Sequence, residues 1–369
     1  MKVLLIGEYS NVHWTLAEGL AALGHDVTVV SDGDGWKNYR RNVDLRRRSL
    51  GLGGSLRYLF DLARLWPTLR GYDVVQLINP VFIDLRAERI WPFYRFLRRH
   101  NARVFLGAFG IDHYWVKVGM DCRTFRYSDF NFGNHLRSYP FMDEMVRDWL
   151  EGPKGTLNRR IAEDCDGIIT GLYEYEMSYR PFYPEKTRFI PFPIRLSSIT
   201  PASTFALKPL RFFIGIQRSR SSYKGTDIML SALEHLKEKY AESMEIVKAE
   251  NVPFVDYQQL MNGSHVLLDQ LYSYTPGMNA LLAMAKGLVV VGGGEEESYE
   301  LLGERELRPI INVQPTEEDV FTQIEQRLLS GQEDVAQLQR DSVEYIRRHH
   351  DHLRVASKYV EFWTKSKLS

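Results

Sequence analysis

Two cysteines in 369 residues, Cys122 and Cys165, are too few for a disulfide framework. Neither has a CxxC partner or a His/Cys neighbour at zinc spacing, which sets aside a structural metal as well. The chain lacks an excess of either charge, with 47 Lys+Arg against 47 Asp+Glu. That argues against a nucleic-acid partner, whose binding depends on neutralising many phosphates. Long hydrophobic runs are also missing. Only four apolar residues separate Lys2 from Gly7 and Glu8, too few for a signal-peptide core, and nothing approaches the ~18 apolar residues of a membrane-spanning helix. The first strand-to-helix turn has no Gly-x-Gly-x-x-Gly, so a dinucleotide cofactor is not expected. Together these absences predict a soluble protein of the reducing cytoplasm that needs neither metal nor cofactor.

What is present is enough apolar residue, 44% of the chain, to fill two cores. The opening reads as strand Val3 to Ile6, helix Val12 to Leu23 and strand Asp26 to Val30, a β-α-β unit. Further strands are predicted at Val74 to Ile78, Val104 to Leu106, Gly167 to Thr170 and Thr187 to Ile190. Helices are predicted at Leu56 to Leu69, Ile90 to Arg99 and Met142 to Ala162, an alternation that a parallel sheet requires. The polar, proline-containing run Ser197 to Pro209 reads as a linker. A second alternating set follows, with strands Leu210 to Ile216, Met244 to Val247 and Val266 to Leu268 and a helix Thr226 to Tyr240. The tail is helical over Glu317 to Leu329, Val335 to His349 and Leu353 to Lys365. The fold class is therefore α/β, with two doubly wound, Rossmann-like domains at residues 1–196 and 208–349.

The stretch Gln270 to Glu297 has the layout of a phosphate-binding corner: a loop after a strand, a helix start, a short helix, a buried strand and a glycine-rich turn. Thr275 suits an N-cap and Pro276 the first helical position. Gly277, Met278 and Asn279 then offer amide hydrogens to an anion, in a donor helix start that runs from Thr275 to Ala280. A cationic loop, Gly215 to Gly225, follows the first strand of the second domain and contains Arg218, Arg220 and Lys224, the arginines suited to bidentate contact and the lysine to a point charge.

The corner resembles the donor-sugar site of the GT-B glycosyltransferases, in particular the large retaining family that includes glycogen synthases. Its signature Glu-Ala-Met-Ala-x-Gly before an apolar strand is matched by Leu282-Ala283-Met284-Ala285-Lys286-Gly287, except at the first position. The Lys224-Gly225 pair and the Gly24-His25-Asp26-Val27 end of the first unit are also similar. The family's two glutamates, with seven residues between them, fall on Tyr274 and Leu282. The resemblance implies a central cleft between the domains, a final helix, residues 350–369, that returns to the first domain, and a nucleoside diphosphate sugar as donor. It implies diphosphate contacts from Arg218 or Arg220, Lys224 and the helix-start amides, with Tyr272, Tyr274 and Thr275 nearby. Transfer to a glycan or lipid-linked acceptor, with retention and in surface polysaccharide synthesis, is the function it implies. A non-catalytic relative that binds nucleotide sugar or glycan is the alternative favoured by the missing glutamates.

In the first domain, the loop after the first strand, with Gly7 and Glu8 on the donor side and Asn11 and His13 on the acceptor side, lies where parallel sheets bind ligands. Asp112 and His113, directly after another strand, are candidates for holding a donor hydroxyl or accepting the acceptor proton. The pair Asp32 and Asp34 around Gly33 reads as turn chemistry rather than as metal ligands. The basic clusters Arg40-Arg41, Arg46 to Arg48 and Arg95 to Arg103, the last beside Trp91, Phe93, Tyr94 and Phe96, are candidates for peripheral contact with an anionic membrane.

Overall fold

A computed structural model describes residues 1–49, 51–199, 207–331 and 333–365. Of the linker read at Ser197 to Pro209, residues 200–206 lie outside the described residues. The strands, in chain order, are β1 (Lys2–Ile6), β2 (Asp26–Ser31), β3 (Val43–Asp44), β4 (Val74–Leu77), β5 (Val104–Ala108), β6 (Asn131–Phe132), β7 (His135–Leu136), β8 (Gly167–Thr170), β9 (Thr187–Phe189), β10 (Leu210–Ile216), β11 (Met244–Glu250), β12 (Val266–Leu268), β13 (Val289–Gly292) and β14 (Ile310–Asn312).

The chain forms two compact units. The first takes in Met1–Val118, Pro140–Pro193 and His352–Ser369, the second Gly119–Tyr139 and Ile194–Asp351. In the first unit seven strands pair in the order β3-β2-β1-β4-β5-β8-β9, all parallel. Strands β1, β4 and β5 are almost wholly buried because helices cover both faces, which is why they read as continuous apolar runs rather than alternating ones. Chain order reverses between β1 and β4, so the switch point lies beyond Ile6 and Leu77. Gly7 has φ +85° there, and a Cβ on it would lie 2.2 Å from Ile78 Cγ2. Only glycine lets the two strand ends come so close.

The last helix, His352–Lys365, belongs to this unit and packs on the helix Val12–Ala22. Trp363 and Tyr359 on it are fully buried, and Arg103 donates to the Trp363 carbonyl. The predicted continuous helix Met142 to Ala162 is corrected. It is a helix Met142–Val146 running into a wide turn Arg147–Glu151, then a new helix Pro153–Asp164. Gly152 is extended (φ −85°, ψ 177°) and Pro153 opens the new helix, so the proline that cannot continue one helix starts the next.

In the second unit five parallel strands take the order β11-β10-β12-β13-β14. Phe212 and Ile214 of β10, with Val266 and Leu268 of β12, pack against Met229, Leu233 and Leu236 of the helix Thr226–Lys239. The order reverses between β10 and β12, placing the second switch point at the loops after Ile216 and Leu268. Residues 119–139 join this unit as an arm. Its β6-β7 hairpin turns at Gly133 (φ +58°), and its fold is tied internally by Asn131, whose amide donates to the Phe125 and Gly133 carbonyls.

Candidate functional site

At the first unit's switch point Glu8 is buried and accepts the amides of His13 (3.2 Å) and Trp14 (2.9 Å), so its carboxyl caps the helix Val12–Ala22. Burial raises its pKa to about 8, because the penalty on the charged form outweighs those amide bonds. His13 is fully buried. Its Nδ1 lies 2.8 Å from the Gly7 carbonyl, which can only accept, so Nδ1 carries the proton, and Nε2 is buried with no partner among the described residues. Burial holds this imidazole neutral by lowering its pKa to about 3. Asn11, in the left-handed region (φ +69°), spends its amide on Thr15.

The sign of the Glu8 shift predicts a pH effect. Between pH 4.5 and about 8 the unfolded carboxyl is ionised while the folded one keeps its proton. Stability from this group is therefore complete below the unfolded pKa and falls as pH rises, by at most ~1.4 kcal/mol per pH unit. Glu8→Gln should flatten that dependence in urea unfolding compared at about pH 5 and about pH 8. An unchanged slope would show that Glu8 is ionised in the fold.

Beyond β5, Asp112 is fully buried. It accepts the Trp115 amide (2.9 Å) and the Tyr179 hydroxyl (2.6 Å), capping the helix His113–Gly119. Burial lifts its pKa to about 6 against those hydrogen bonds. His113 donates from Nδ1 to the Trp149 carbonyl at 2.8 Å, and Arg159 Nη1 lies 3.4 Å from its Nε2. Its pKa is lowered, chiefly by burial, leaving a neutral ring with its lone pair on Nε2. Asp34 accepts from the Ser10 amide and from Lys37, and so is occupied as a turn residue. In the aromatic-basic cluster, Phe93, Tyr94 and Leu97 face the core, and Tyr94 donates to Asp164.

At the second unit's switch point the loop after β10 forms a short turn Arg218–Arg220 and a helix Ser221–Lys224 ending at Gly225 (φ +74°). A Cβ on Gly225 would lie 2.8 Å from Leu271 Cδ1, and the Leu271 amide donates to the Lys224 carbonyl at 3.0 Å. Glycine here brings the half-buried Lys224 against the loop after β12. Of the two arginines, Arg218 is ion-paired to Glu250 and Arg220 lies 5.1 Å from the Tyr223 ring centre.

The helix start after β12 is corrected by two residues: its N-cap is Gly277, not Thr275, and the helix is Met278–Ala285. Thr275 precedes a proline, which disfavours helical geometry, and its carbonyl accepts from Ser273 Oγ at 2.6 Å. The Leu281 amide donates to the Gly277 carbonyl. The amides of Met278, Asn279 and Ala280 therefore precede the first intrahelical bond. The Asn279 side chain is committed to a bridge, accepting from Tyr257 (3.0 Å) and donating to Asp269 (2.9 Å).

The arm, which sequence reasoning passed over, holds both sides of this corner. Tyr274 is buried. Its hydroxyl accepts the Arg126 amide (2.8 Å), and its ring lies 5.1 Å from Tyr127 and 4.9 Å from the Arg126 guanidinium. Glu295 accepts from Tyr127 (2.5 Å), Gln314 (2.8 Å) and Arg126 (2.7 Å), while Arg126 also pairs with Glu297. Burial alone would raise the Glu295 pKa, but these donors hold it below the usual carboxylate value. On the other side Arg137 donates to the Ser222 and Tyr223 carbonyls (2.6 and 3.0 Å), its guanidinium 3.1 Å from the Tyr272 ring centre, and Tyr223 donates to Asp129 at 2.7 Å. The only signal in the sequence was an arginine- and aromatic-rich stretch with no period, too long for an ordinary connection.

Two parallel, doubly wound sheets, each with polar loops at its switch point, are the GT-B architecture of nucleotide-sugar glycosyltransferases. The profile of the glycosyl transferase 4-like domain family matches residues 9–136, running from the loop after β1 into the arm. Among solved structures, sucrose-phosphate synthase from Thermosynechococcus elongatus is 13% identical at a TM-score of 0.62, over 99% of this chain and 98% of that one. HepE from Anabaena, in complex with UDP and glucose, is 12% identical at 0.62 over 99% of both chains. The catalytic domain of starch synthase IV from Arabidopsis thaliana, bound to ADP and acarbose, is 12% identical at 0.59 over 99% of both. These likenesses establish the GT-B fold. No curated protein sequence matches the chain.

Proposed function

We propose that this protein transfers a hexosyl group from a nucleoside diphosphate sugar to a hydroxyl of a glycan or lipid-linked acceptor in surface polysaccharide synthesis. One observation supports the reading: after the second sheet's switch-point strands, the loop carrying Lys224 is tied through its backbone to Leu271, and seven residues further on the helix start leaves the amides of Met278 to Ala280 without an intrahelical partner. The family profile over residues 9–136 and the complexes of similar folds with UDP and glucose or with ADP and acarbose support the same reading. In the reaction the bond from the anomeric carbon to the diphosphate breaks, one to the acceptor oxygen forms, and the acceptor proton is taken up. Lys224, one of Arg218 and Arg220, and the helix-start amides take the charge gathering on the diphosphate, so the reading calls on no metal ion. The acceptor proton goes to His113 or Asp112: His113 is neutral with its lone pair on Nε2, beside Arg159, and Asp112 holds hydrogen bonds at both oxygens.

Retention of configuration is the stereochemistry proposed by family likeness. With Tyr274 and Leu282 at the glutamate positions, the ribose is held by other groups. The same loss supports a second reading, a partner subunit that binds donor without turnover. A panel of labelled nucleotide sugars separates the two. Transfer or slow hydrolysis of one donor supports the enzyme, binding alone supports the subunit, and no binding of any donor would overturn both.

A further inference from the structure

We infer that the helix Leu52–Leu65 and the arginines around its start form a docking surface for an anionic lipid bilayer. The inward side of this helix is accounted for by Tyr58 and Leu62, both buried. A second apolar side faces solvent: Leu52 is 87% exposed, Leu56 69% and Phe60 60%, with Leu59 beside them. At about 100° per residue these four side chains fall in one stripe roughly 100° wide, a width otherwise used to face a core. An exposed contiguous apolar stripe on a soluble surface marks an interaction site.

The charge around the stripe selects the partner. Arg46, Arg48, Arg57 and Arg64 are all exposed, and the Arg64 guanidinium lies 5.8 Å from the Phe60 ring centre. Arg46 is paired with Asp44, and Arg57 lies 4.0 Å from Asp61. Arg46, Arg48 and Arg57 also line a cavity of ≈ 340 Å³ beside Gly53 and Gly54, at the helix start. The cavity has room for a phosphate group, and its three arginines, with Asp61 also on its wall, supply charge-assisted donors to a phosphodiester's oxygens. A bilayer meets both requirements at once, with acyl chains for the leucines and Phe60 and anionic headgroups for the arginines. A second copy of the chain fits poorly, because a two-fold contact through this face would set the same arginines against each other. The sequence drew attention to Arg95 to Arg103 as well, but the aromatic side chains Phe93 and Tyr94 there are buried.

The surface deepens the lipid-linked side of the functional reading, yet its test involves no donor, so the two fail separately. Sedimentation of the full chain with vesicles of phosphatidylglycerol and phosphatidylcholine, against phosphatidylcholine alone, is expected to show binding to the anionic vesicles only, falling with added salt. Leu56→Asp with Phe60→Asp, and separately Arg48→Glu with Arg57→Glu, should each weaken partitioning at least tenfold, at about 1 kcal/mol per basic residue for the latter pair, with circular dichroism unchanged. Equal binding to neutral vesicles, no binding to either, or variants that bind like the parent would overturn the proposal. So would a dimer, seen by light scattering, that the Leu56→Asp, Phe60→Asp variant dissociates.

Discussion

Lys224→Ala is expected to weaken nucleoside diphosphate binding roughly 10- to 150-fold, the range of a charge-assisted hydrogen bond worth ~1.5–3 kcal/mol. The lysine ends the short helix Ser221–Lys224, and its carbonyl, not its side chain, holds the Leu271 amide. Removing the ammonium therefore leaves the loop's backbone tie in place. The variant should stay folded, with the circular dichroism spectrum of the parent. Titration calorimetry with UDP, ADP and GDP reads the loss directly. Unaltered affinity in the variant would mean that the diphosphate lies elsewhere and that the donor corner is misassigned. Arg218→Ala should cost less than Lys224→Ala, since Arg218 is already ion-paired with Glu250 and must leave that partner to reach a phosphate.

Arg137→Ala is expected to cost ~2–4 kcal/mol of stability and to raise the diphosphate dissociation constant at least tenfold. The guanidinium serves the carbonyls of Ser128, Asp129, Ser222 and Tyr223 and lies over the Tyr272 ring. Its removal leaves the two carbonyls of the Lys224 loop without this donor and leaves the arm tied to the loop through Tyr223, by its hydrogen bond to Asp129 and its ring contact with Tyr139. Arg137→Lys should rescue little, because a single ammonium cannot reproduce the planar fork. Urea unfolding and calorimetry distinguish two roles. Lost stability with unchanged affinity in the folded protein would reduce Arg137 to a structural tie, whereas loss of both makes it a positioning residue for Lys224.

Much of the fold can be read from local pattern. Gly167–Thr170, Leu210–Ile216 and Val266–Leu268 form over the residues read from the chain, because each is a short apolar run bounded by polar or glycine residues. The two-residue strands β3, β6 and β7 offer no period to detect. The break at Gly152 was missed because apolar spacing continues across it, and the helix start slipped from Thr275 to Gly277 because capping chemistry fits both positions while Pro276 and the Ser273 hydroxyl keep Thr275 in a turn.

The candidate site divides in the same way. Lys224-Gly225 and the helix Met278–Ala285 were recognisable because a tight turn and a helix start are local devices with local signatures. Asp112 and His113 were found as polar residues after a strand, but their commitments, Asp112 to Trp115 and Tyr179 and His113 to Trp149, were not. The arm was invisible. Its ties join Arg126 and Tyr127 to Glu295, residues 169 and 168 positions apart.

The sequence by itself determined that strands and helices alternate in two sets, the mark of two doubly wound sheets, since this follows from periodicity and from residues acting on their own neighbours. The strand order, and with it the point where each sheet reverses, is set by pairing between strands far apart in the chain. The tertiary structure alone decided which polar side chains are already occupied, and that Tyr274, standing at a glutamate position, is enclosed by Phe125, Arg126 and Tyr127. Such pairings are selected by packing and charge between distant segments, and no local pattern encodes them.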